Sequence, residues 1–241
     1  MTDISNFQMG ELEYNAFTKN KKIAVVIGGN GKLGKAIVSK LQRENYLVDE
    51  KWISSDRPDC TLESSYDDLP KRIDLAVYLP GLNTICPMHV LNPEEWDKIV
   101  SVNLRGAYLF ARKAYWPLYN TPKSTFLTVS SILTTHPYPF QAAYAAAKAG
   151  LEGFTRALSV EWCNVGISTH CIRLGHLSSP MKTSNTNTQL LNAVSEIAPF
   201  VEERAVADYV YWLSEGGSKY VNGAVIDFDS GYSMRRWPLS L

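Results

Sequence analysis

A tyrosine and a lysine stand four residues apart, Tyr144 and Lys148, in an alanine-rich segment. That spacing places both side chains on one face of a helix. A phenol with an ordinary pKa near 10 is a poor base at neutral pH, but a nearby ammonium stabilises the phenolate. Lowering the pKa by ~3 units takes about 4 kcal/mol of differential stabilisation. Such a pair could exchange a proton with an alcohol or ketone oxygen, although the same spacing also arises by chance on surface helices.

A second chemical signal is a set of glycines, Gly28, Gly31 and Gly34, spaced three apart between an apolar run and a helical pattern. Glycines allow a tight turn and let backbone N–H groups approach a pyrophosphate, and the helix N-terminus adds about half a positive charge. A strand-to-helix turn needs similar glycines without any ligand. Because the set follows the first strand of an alternating chain, it predicts a dinucleotide site.

The elements that must position these groups are apolar runs alternating with helical patterns. We predict strands at residues 23–27, 47–53, 74–79, 125–129, 167–173 and 224–228, and helices at 32–44, 92–119, 142–164 and 202–213. Continuous apolar runs are typical of strands buried on both faces, and their alternation with helices predicts right-handed βαβ units. We therefore expect an α/β fold: a Rossmann-type doubly wound parallel sheet of about seven strands with helices on both faces.

Two other stretches frame this domain. Residues 1–20 are polar and aperiodic and are predicted to be an N-terminal arm, while residues 21–241 are predicted to form a single dinucleotide-binding and catalytic domain. Residues 175–200 are long for a connection, with one short helix expected near 189–197. Long loops of this kind are often lids, so we interpret this one as a substrate loop; a plain surface loop explains it equally well.

Composition excludes several classes of function. Lys plus Arg and Asp plus Glu each number 24, so the net charge of zero gives no overall field for a nucleic acid. No apolar run reaches the ~18–20 residues of a membrane span, and the first residues lack a signal-peptide pattern. The four cysteines form no C-x-x-C pair and the four histidines no H-E-x-x-H pattern, so we expect no metal. These features predict a cytoplasmic protein with a small-molecule substrate and neither a nucleic-acid nor a membrane partner.

Three segments carry a resemblance to a known family: Phe126–Ser131, Ala142–Leu158 and Tyr220–Tyr232. Over about residues 21–234 the chain resembles the short-chain dehydrogenases/reductases, in the compact branch that contains the 3-oxoacyl-carrier-protein reductases. The resemblance implies an NAD(P)-dependent oxidoreductase that moves hydride between a nicotinamide and a ketone or secondary alcohol. It also implies a catalytic tetrad in which Asn103 holds a water, Ser131 binds the substrate oxygen, Tyr144 is the acid/base, and Lys148 tunes it and holds the nicotinamide ribose.

The resemblance further implies a set of cofactor-binding residues. They are Gly28, Asn30, Gly31, Lys32, Leu33, Gly34, Arg57, Asp59, Cys60, Pro80, Gly81, Tyr144, Lys148, Gly175, Leu177 and Ser179. Lys32 stands where the family's middle glycine falls, and Leu79-Pro80 replaces its Asn-Ala. Only a short segment separates the second strand from Asp59, where the family places a whole helix, so we expect an open adenine end.

The side chain at the end of the second strand decides between NAD and NADP as the cofactor. An acid there selects NAD, and a nearby arginine accommodates the 2′-phosphate of NADP. The family pattern puts Trp52 at that place, while Lys32 and Arg57 supply positive charge. We therefore favour NADP over NAD, although Asp56 could restore the NAD preference.

Substrate and assembly are less sharply marked. His136, Tyr138, His176 and Met181 are expected to line the substrate pocket, with ordinary loop packing as the alternative. The long helices carry apolar side chains on more than one face, which predicts a homotetramer, or else a homodimer. Two other functions remain on the same fold: an epimerase or dehydratase, whose branch has a further substrate domain, and a redox-inactive cofactor-binding regulator, which usually lacks the tyrosine or the lysine.

Overall fold

Parallel strands form the centre of the computed structural model, which describes residues 21–52, 58–178 and 198–234. The strands are β1 (Ile23–Ile27), β2 (Leu47–Val48), β3 (Leu75–Tyr78), β4 (Thr125–Ser131), β5 (Ser168–Leu174) and β6 (Val225–Phe228). They pair in the order β2-β1-β3-β4-β5-β6, and every pair is parallel. Every residue of β1 and β3 is buried, as expected for strands covered on both faces. The predicted doubly wound fold is confirmed.

Helices cover both faces of this sheet. They are α1 (Lys32–Arg43), α2 (Pro93–Val100), α3 (Gly106–Tyr119), α4 (Ala142–Trp162) and α5 (Glu203–Ser214). Apolar residues of α1 and α5 share one core with β1, β3, β4 and β5. Apolar residues of α3 and α4 form the other core, on the opposite face. No helix in these ranges is both long and apolar enough to cross a membrane.

Helix α2 begins with a side-chain cap and a proline. Asn92 caps the helix, its Oδ1 accepting a hydrogen bond of 2.7 Å from the backbone N–H of Glu95, and Pro93 occupies the first turn. A side-chain cap satisfies one of the N–H groups that the first turn leaves unpaired, and proline loses nothing there.

The connection after β2 departs from the sequence prediction. The strand predicted over 47–53 ends at Val48, and a 3₁₀ helix, Glu50–Trp52, follows it. Between β2 and β3 the described residues form a second 3₁₀ helix, Glu63–Tyr66, and no further strand, so the described sheet has six strands instead of about seven. Asp49, Glu50 and Lys51 are too polar for a strand buried on two faces.

Aromatic packing closes the core at this shortened connection. The rings of Trp52 and Tyr66 stack with centroids 5.0 Å apart, and Tyr66 contacts Phe110 of α3 at 5.5 Å. Both Trp52 and Tyr66 are fully buried. Two large rings thus fill space on the face that α3 covers. The predicted arm at 1–20 and the short helix at 189–197 lie outside the described residues.

Candidate active site

The carboxyl ends of five neighbouring strands bring the candidate residues to one edge of the sheet. Ser131, the last residue of β4, pairs with Leu174 of β5, which pairs with Phe228 of β6. On the other side, Ile27 of β1 pairs with Tyr78 of β3, so the glycine loop begins at the same edge. In doubly wound sheets, ligands bind in the crevice outside these strand ends.

The glycine loop is built from close backbone contacts. Gly28 has a φ of +83°, a conformation that favours glycine. A Cβ on Gly34 would lie 2.6 Å from the Cα of Gly29, so α1 can approach the loop this closely only through a glycine. Gly31 is the N-cap residue of α1 and supplies no side-chain cap, and the first turn of the helix holds no acidic residue. Its N-terminus therefore fits the pyrophosphate of a dinucleotide, with Asn30 and Leu33 beside the loop and Lys32 exposed.

Tyr144 lies in the first turn of α4, and its hydroxyl lies close enough to the side chain of Ser131 for that side chain to lower its pKa. Gln141, the N-cap residue of α4, is buried, and its side-chain oxygen accepts a hydrogen bond of 3.0 Å from the side-chain amide of Asn83. Burial raises the pKa of Tyr144 to about 12, and the Ser131 hydrogen bond offsets part of that rise. The phenol is therefore held in its acid form through the neutral range.

Lys148 stands one turn further along α4 and is only 2% exposed. Its ammonium donates hydrogen bonds of 2.8 Å to the main-chain oxygen of Val129 and 3.3 Å to that of Pro80. Burial lowers the pKa of Lys148 to about 8. The sequence-based expectation of a Tyr144 pKa lowered toward neutrality is not met in this geometry, because burial of the phenol outweighs the effect of the ammonium, which lies 5.8 Å from the ring centre.

Asn103 is fully buried in a π-helical turn, Ser101–Arg105, between α2 and α3. Its Nδ2 donates to the main-chain oxygens of Ile99 at 2.8 Å and Leu82 at 2.7 Å. The amide thereby occupies the Ile99 carbonyl that a regular α-helix would give to the backbone N–H of Asn103. Such turns are frequent at functional sites, and nothing in the sequence indicated this one. Asn103 and Lys148 hold the segment Pro80–Leu82 from two sides.

The residues expected around the adenine have structural partners of their own. Asp59 is exposed, and its Oδ1 accepts hydrogen bonds of 2.8 Å from the backbone N–H and the hydroxyl of Thr61. The main-chain oxygen of Cys60 accepts a bond of 2.8 Å from the Tyr66 hydroxyl. Gly81 lies in the segment that Asn103 and Lys148 hold. The predicted contacts Arg57, Ser179 and Met181 lie outside the described residues.

Three aromatic side chains meet beyond the ends of β4, β5 and β6. The hydroxyl of Tyr138 is hydrogen-bonded to His176 Nε2 at 2.9 Å and to the hydroxyl of Tyr232 at 2.6 Å. The rings of Tyr138 and His176 stack with centroids 5.7 Å apart. Burial lowers the pKa of His176, which keeps the imidazole neutral at physiological pH. Tyr232 was not predicted from the sequence as a site residue, although it follows β6 and therefore lies at the sheet edge that holds the other candidate residues.

The remaining predicted residues in the loops after β4 and β5 have contacts outside the aromatic group. His136 is exposed, and its Nδ1 is hydrogen-bonded to Thr135 at 3.0 Å, so the structure does not join it to the aromatic group. A Cβ on Gly175 would lie 2.6 Å from the Cα of Asp229, which explains a glycine after β5. Leu177 forms a bridge to Val201. In the ranges that the structure describes, no cluster of His, Cys, Asp or Glu could hold a metal ion.

Comparisons with known proteins agree with this geometry. A family model described as enoyl-(acyl carrier protein) reductase matches residues 61–233. The 3-oxoacyl-[acyl-carrier-protein] reductase of Chlamydia trachomatis is 30% identical over 162 residues, which are 66% of this chain and 65% of that protein. The Rickettsia conorii protein of the same name is 25% identical over 213 residues, 87% of this chain and 86% of that protein.

A solved structure extends the likeness to the fold. The 3-ketoacyl-(acyl-carrier-protein) reductase of Brucella melitensis, crystallised in complex with NADH, superposes with a TM-score of 0.78 at 21% identity, covering 88% of this chain and 98% of the other. The family model spans well over half of the chain. The chain belongs to the short-chain dehydrogenase/reductase family of NAD(P)-dependent oxidoreductases.

Proposed function

We propose that the protein interconverts a ketone and a secondary alcohol, with Tyr144 as the acid/base. One observation carries this proposal: Ser131 ends β4 at the sheet edge where the glycine loop begins, and its side chain lies close enough to the Tyr144 hydroxyl to lower the pKa of that phenol. A carbonyl oxygen placed between two hydroxyl donors is polarised and can receive a proton. The ammonium of Lys148 lies 5.8 Å from the centre of the Tyr144 ring.

The chemistry of each residue follows from its surroundings. When bound, the nicotinamide supplies or accepts the hydride. The Tyr144 phenol, with its pKa raised to about 12 by burial, donates its proton to the carbonyl oxygen during reduction. Ser131 donates a hydrogen bond to the same oxygen. The Lys148 ammonium, fixed on the main-chain oxygens of Val129 and Pro80, stabilises the phenolate that remains.

Our proposal for the cofactor is NADP in preference to NAD. Support comes from Trp52, which stands where the family pattern places the acid that selects NAD and is buried against Tyr66. The acidic Asp49 that follows β2 accepts a hydrogen bond from the backbone N–H of Lys51. Lys32 is exposed at the start of α1 and supplies positive charge. Arg57, outside the described residues, is the second candidate for the 2′-phosphate.

The substrate is proposed to be a ketone with an apolar body, and a 3-oxoacyl thioester is the first compound to test. Relatives named 3-oxoacyl-[acyl-carrier-protein] reductase support this choice. Tyr138 and His176 offer an aromatic wall beyond the ends of β4 and β5, and we keep His136 and Met181 as candidate residues of the pocket. Residues 175–200 form the substrate loop in this proposal.

We further propose that residues 21–241 are one domain that works in the cytoplasm as a homotetramer or a homodimer. Exposed aromatic side chains on α3 support assembly, since contiguous apolar surface usually marks an interface. Not every apolar side chain of these helices is available for assembly, since Phe110, Leu158 and Trp162 are buried in the chain's own core.

The decisive experiment is Tyr144→Phe, which removes the transferable proton and keeps the ring. Turnover of a carbonyl panel, followed by cofactor absorbance, should fall by ~10²–10⁴. Binding of NADPH, followed by fluorescence, should change little. Normal turnover in the variant would contradict the assigned role. Cofactor binding without turnover of any carbonyl by the wild type would favour a redox-inactive regulator.

A further inference from the structure

A buried carboxylate stands next to the catalytic serine. Glu152 lies one turn after Lys148 on α4 and is only 4% exposed. Its Oε1 accepts hydrogen bonds of 2.8 Å from the hydroxyl of Ser130 and 2.8 Å from the hydroxyl of Thr134. Ser131 lies between these two residues in the chain. One oxygen atom therefore holds both flanks of the turn that presents Ser131.

The turn itself depends on the same hydroxyl. Thr134 Oγ1 also lies 2.9 Å from the main-chain oxygen of Ser131, while Ser131 Oγ accepts a hydrogen bond of 3.3 Å from the backbone N–H of Leu133. The single hydroxyl hydrogen of Thr134 is shared between a neutral carbonyl and a carboxylate. Hydrogen bonds to an ionised acceptor are roughly twice as strong, so the carboxylate governs this contact.

Arg173 of β5 keeps the carboxylate ionised. Its Nε and Nη2 donate to the two oxygens of Glu152 at 3.0 Å and 2.7 Å. Burial alone would raise the pKa of Glu152, but the bonds from Arg173, Thr134 and Ser130 bring that pKa below its ordinary value. Arg173 also pairs with Asp227 of β6 at 2.7 Å.

A buried ion pair of this kind is weak evidence of stabilisation, because desolvation opposes the Coulomb attraction. Its geometry points to another purpose, since the partners of Glu152 other than Arg173 are Ser130 and Thr134, which both lie within three residues of Ser131 in the chain. We propose that Glu152, held by Arg173, is a positioning residue that sets the orientation of the Ser131 hydroxyl and, through it, that of Tyr144. This inference rests on the proposed function, in which Ser131 and Tyr144 act on the carbonyl oxygen.

The test uses two variants at Thr134, one that removes the hydroxyl and one that keeps it. Thr134→Val keeps the shape and removes the hydroxyl, and it should lower kcat by about 10–100-fold, the scale expected when reacting groups are misplaced by about 1 Å. The KM of the ketone and the dissociation constant of NADPH should stay within about twofold, because neither ligand loses a contact. Thr134→Ser restores the hydroxyl and should recover most of the lost turnover.

Glu152→Gln and Asp227→Asn complete the design. Glu152→Gln presents an amide to the Arg173 donors and should lower kcat like Thr134→Val. Asp227→Asn breaks the other ion pair of Arg173 without touching Ser130 or Thr134, so it should shift the melting temperature and leave kcat within about twofold. If Glu152→Gln does not fold, the Thr134 pair decides.

Tyr144→Phe separates the two proposals. One outcome would overturn the positioning role and leave the proposed function intact. In that outcome Tyr144→Phe is inactive, but Thr134→Val and Glu152→Gln lower turnover no more than Asp227→Asn does. An active Tyr144→Phe enzyme would overturn the proposed function itself. A loss of kcat in Thr134→Val that Thr134→Ser reverses supports the positioning role.

Discussion

The ammonium of Lys148 lies 5.8 Å from the centre of the Tyr144 ring. It is fixed there by main-chain oxygens of Val129 and Pro80, in a site that is almost closed to water. The lysine is thus placed to stabilise charge on the phenol during the reaction, at the cost of its own hydration. That cost can be measured through the pH dependence of stability.

Burial lowers the pKa of Lys148 from 10.5 to about 8, so below pH 8 the folded chain must carry a buried ammonium. Between that pH and about 10.5 the unfolded chain binds more protons than the folded one, and the stability contributed at this site rises with pH. Relative to Lys148→Met, the wild type should gain about 3 kcal/mol in its free energy of unfolding across this window. Urea titrations of both proteins at several pH values give the difference, and parallel pH curves would contradict the assigned burial cost.

The same residue should shape the pH dependence of turnover. As Lys148 loses its proton above about pH 8, the phenolate left on Tyr144 loses its stabilising charge, and kcat for reduction should fall. The Tyr144 proton, with its pKa near 12, is still present at that pH. A kcat that stays level from neutral pH to about pH 10 would show that the charge on Lys148 is not needed.

Two glycines of the nucleotide loop should separate packing from ligand binding. Gly34→Ala places a Cβ 2.6 Å from the Cα of Gly29, so the loop must shift, and overpacking typically costs about 1–3 kcal/mol. Gly31→Ala meets only the main-chain oxygen of Gly28 at 3.5 Å, with an ordinary φ of −69°. We expect Gly34→Ala to lower both the melting temperature and cofactor affinity, and Gly31→Ala to lower affinity alone, as measured by calorimetry and cofactor titration.

A control for these variants lies on α4, where a Cβ on Gly153 would meet nothing within 4 Å. Gly153→Ala should raise the free energy of unfolding by up to about 1 kcal/mol, because the unfolded chain has fewer conformations to lose with alanine than with glycine. A Gly34→Ala protein as stable as wild type would refute the packing argument.

Strands buried on both faces were readable from the sequence because their physical environment is uniform. Ile23–Ile27 is a continuous apolar run, and each of its residues is buried. The second strand was predicted too long because it lies at the sheet edge, where only Leu47 and Val48 pair with β1. About seven strands were predicted and the described sheet has six, with the Trp52–Tyr66 stack in the connection between β2 and β3.

Contacts between distant residues account for what the sequence could not predict at the site. Tyr138 and Tyr232 are 94 positions apart and meet only because β4, β5 and β6 are neighbours in the sheet. Glu152 and Arg173 pair across α4 and β5 in the same way. The π-helical turn at Asn103 depends on a side-chain bond to Ile99 that no periodicity reveals. By contrast, Tyr144 and Lys148 share one helix, so their spacing alone placed them together.

An exposed aromatic surface on α3 gives a test of assembly. Tyr108, Trp116 and Tyr119 are 47%, 64% and 47% exposed, and Trp116 contacts Tyr119 at 5.5 Å between ring centroids. Buried aromatic anchors often supply most of the energy of an interface. Light scattering should give a multiple of 26.9 kDa for the wild type and for Trp116→Phe, and a smaller mass for Trp116→Ser. A wild-type mass near that of one chain at micromolar concentration would contradict the proposed oligomer.

Cofactor preference tests the reading of the adenine end. Lys32 is exposed at the start of α1, where no acidic residue opposes its charge in the first turn. If it contacts the 2′-phosphate of NADP, Lys32→Ala should weaken NADPH by about 1–3 kcal/mol and leave NADH nearly unchanged, as expected for a charge-assisted contact. Lys35→Ala, an equal charge change at an exposed position of the same helix, is the matched control. Fluorescence titration of each variant with both cofactors gives the comparison. Equal losses for NADPH and NADH would mean that Lys32 binds the shared pyrophosphate, and the preference for NADP would then depend on Arg57.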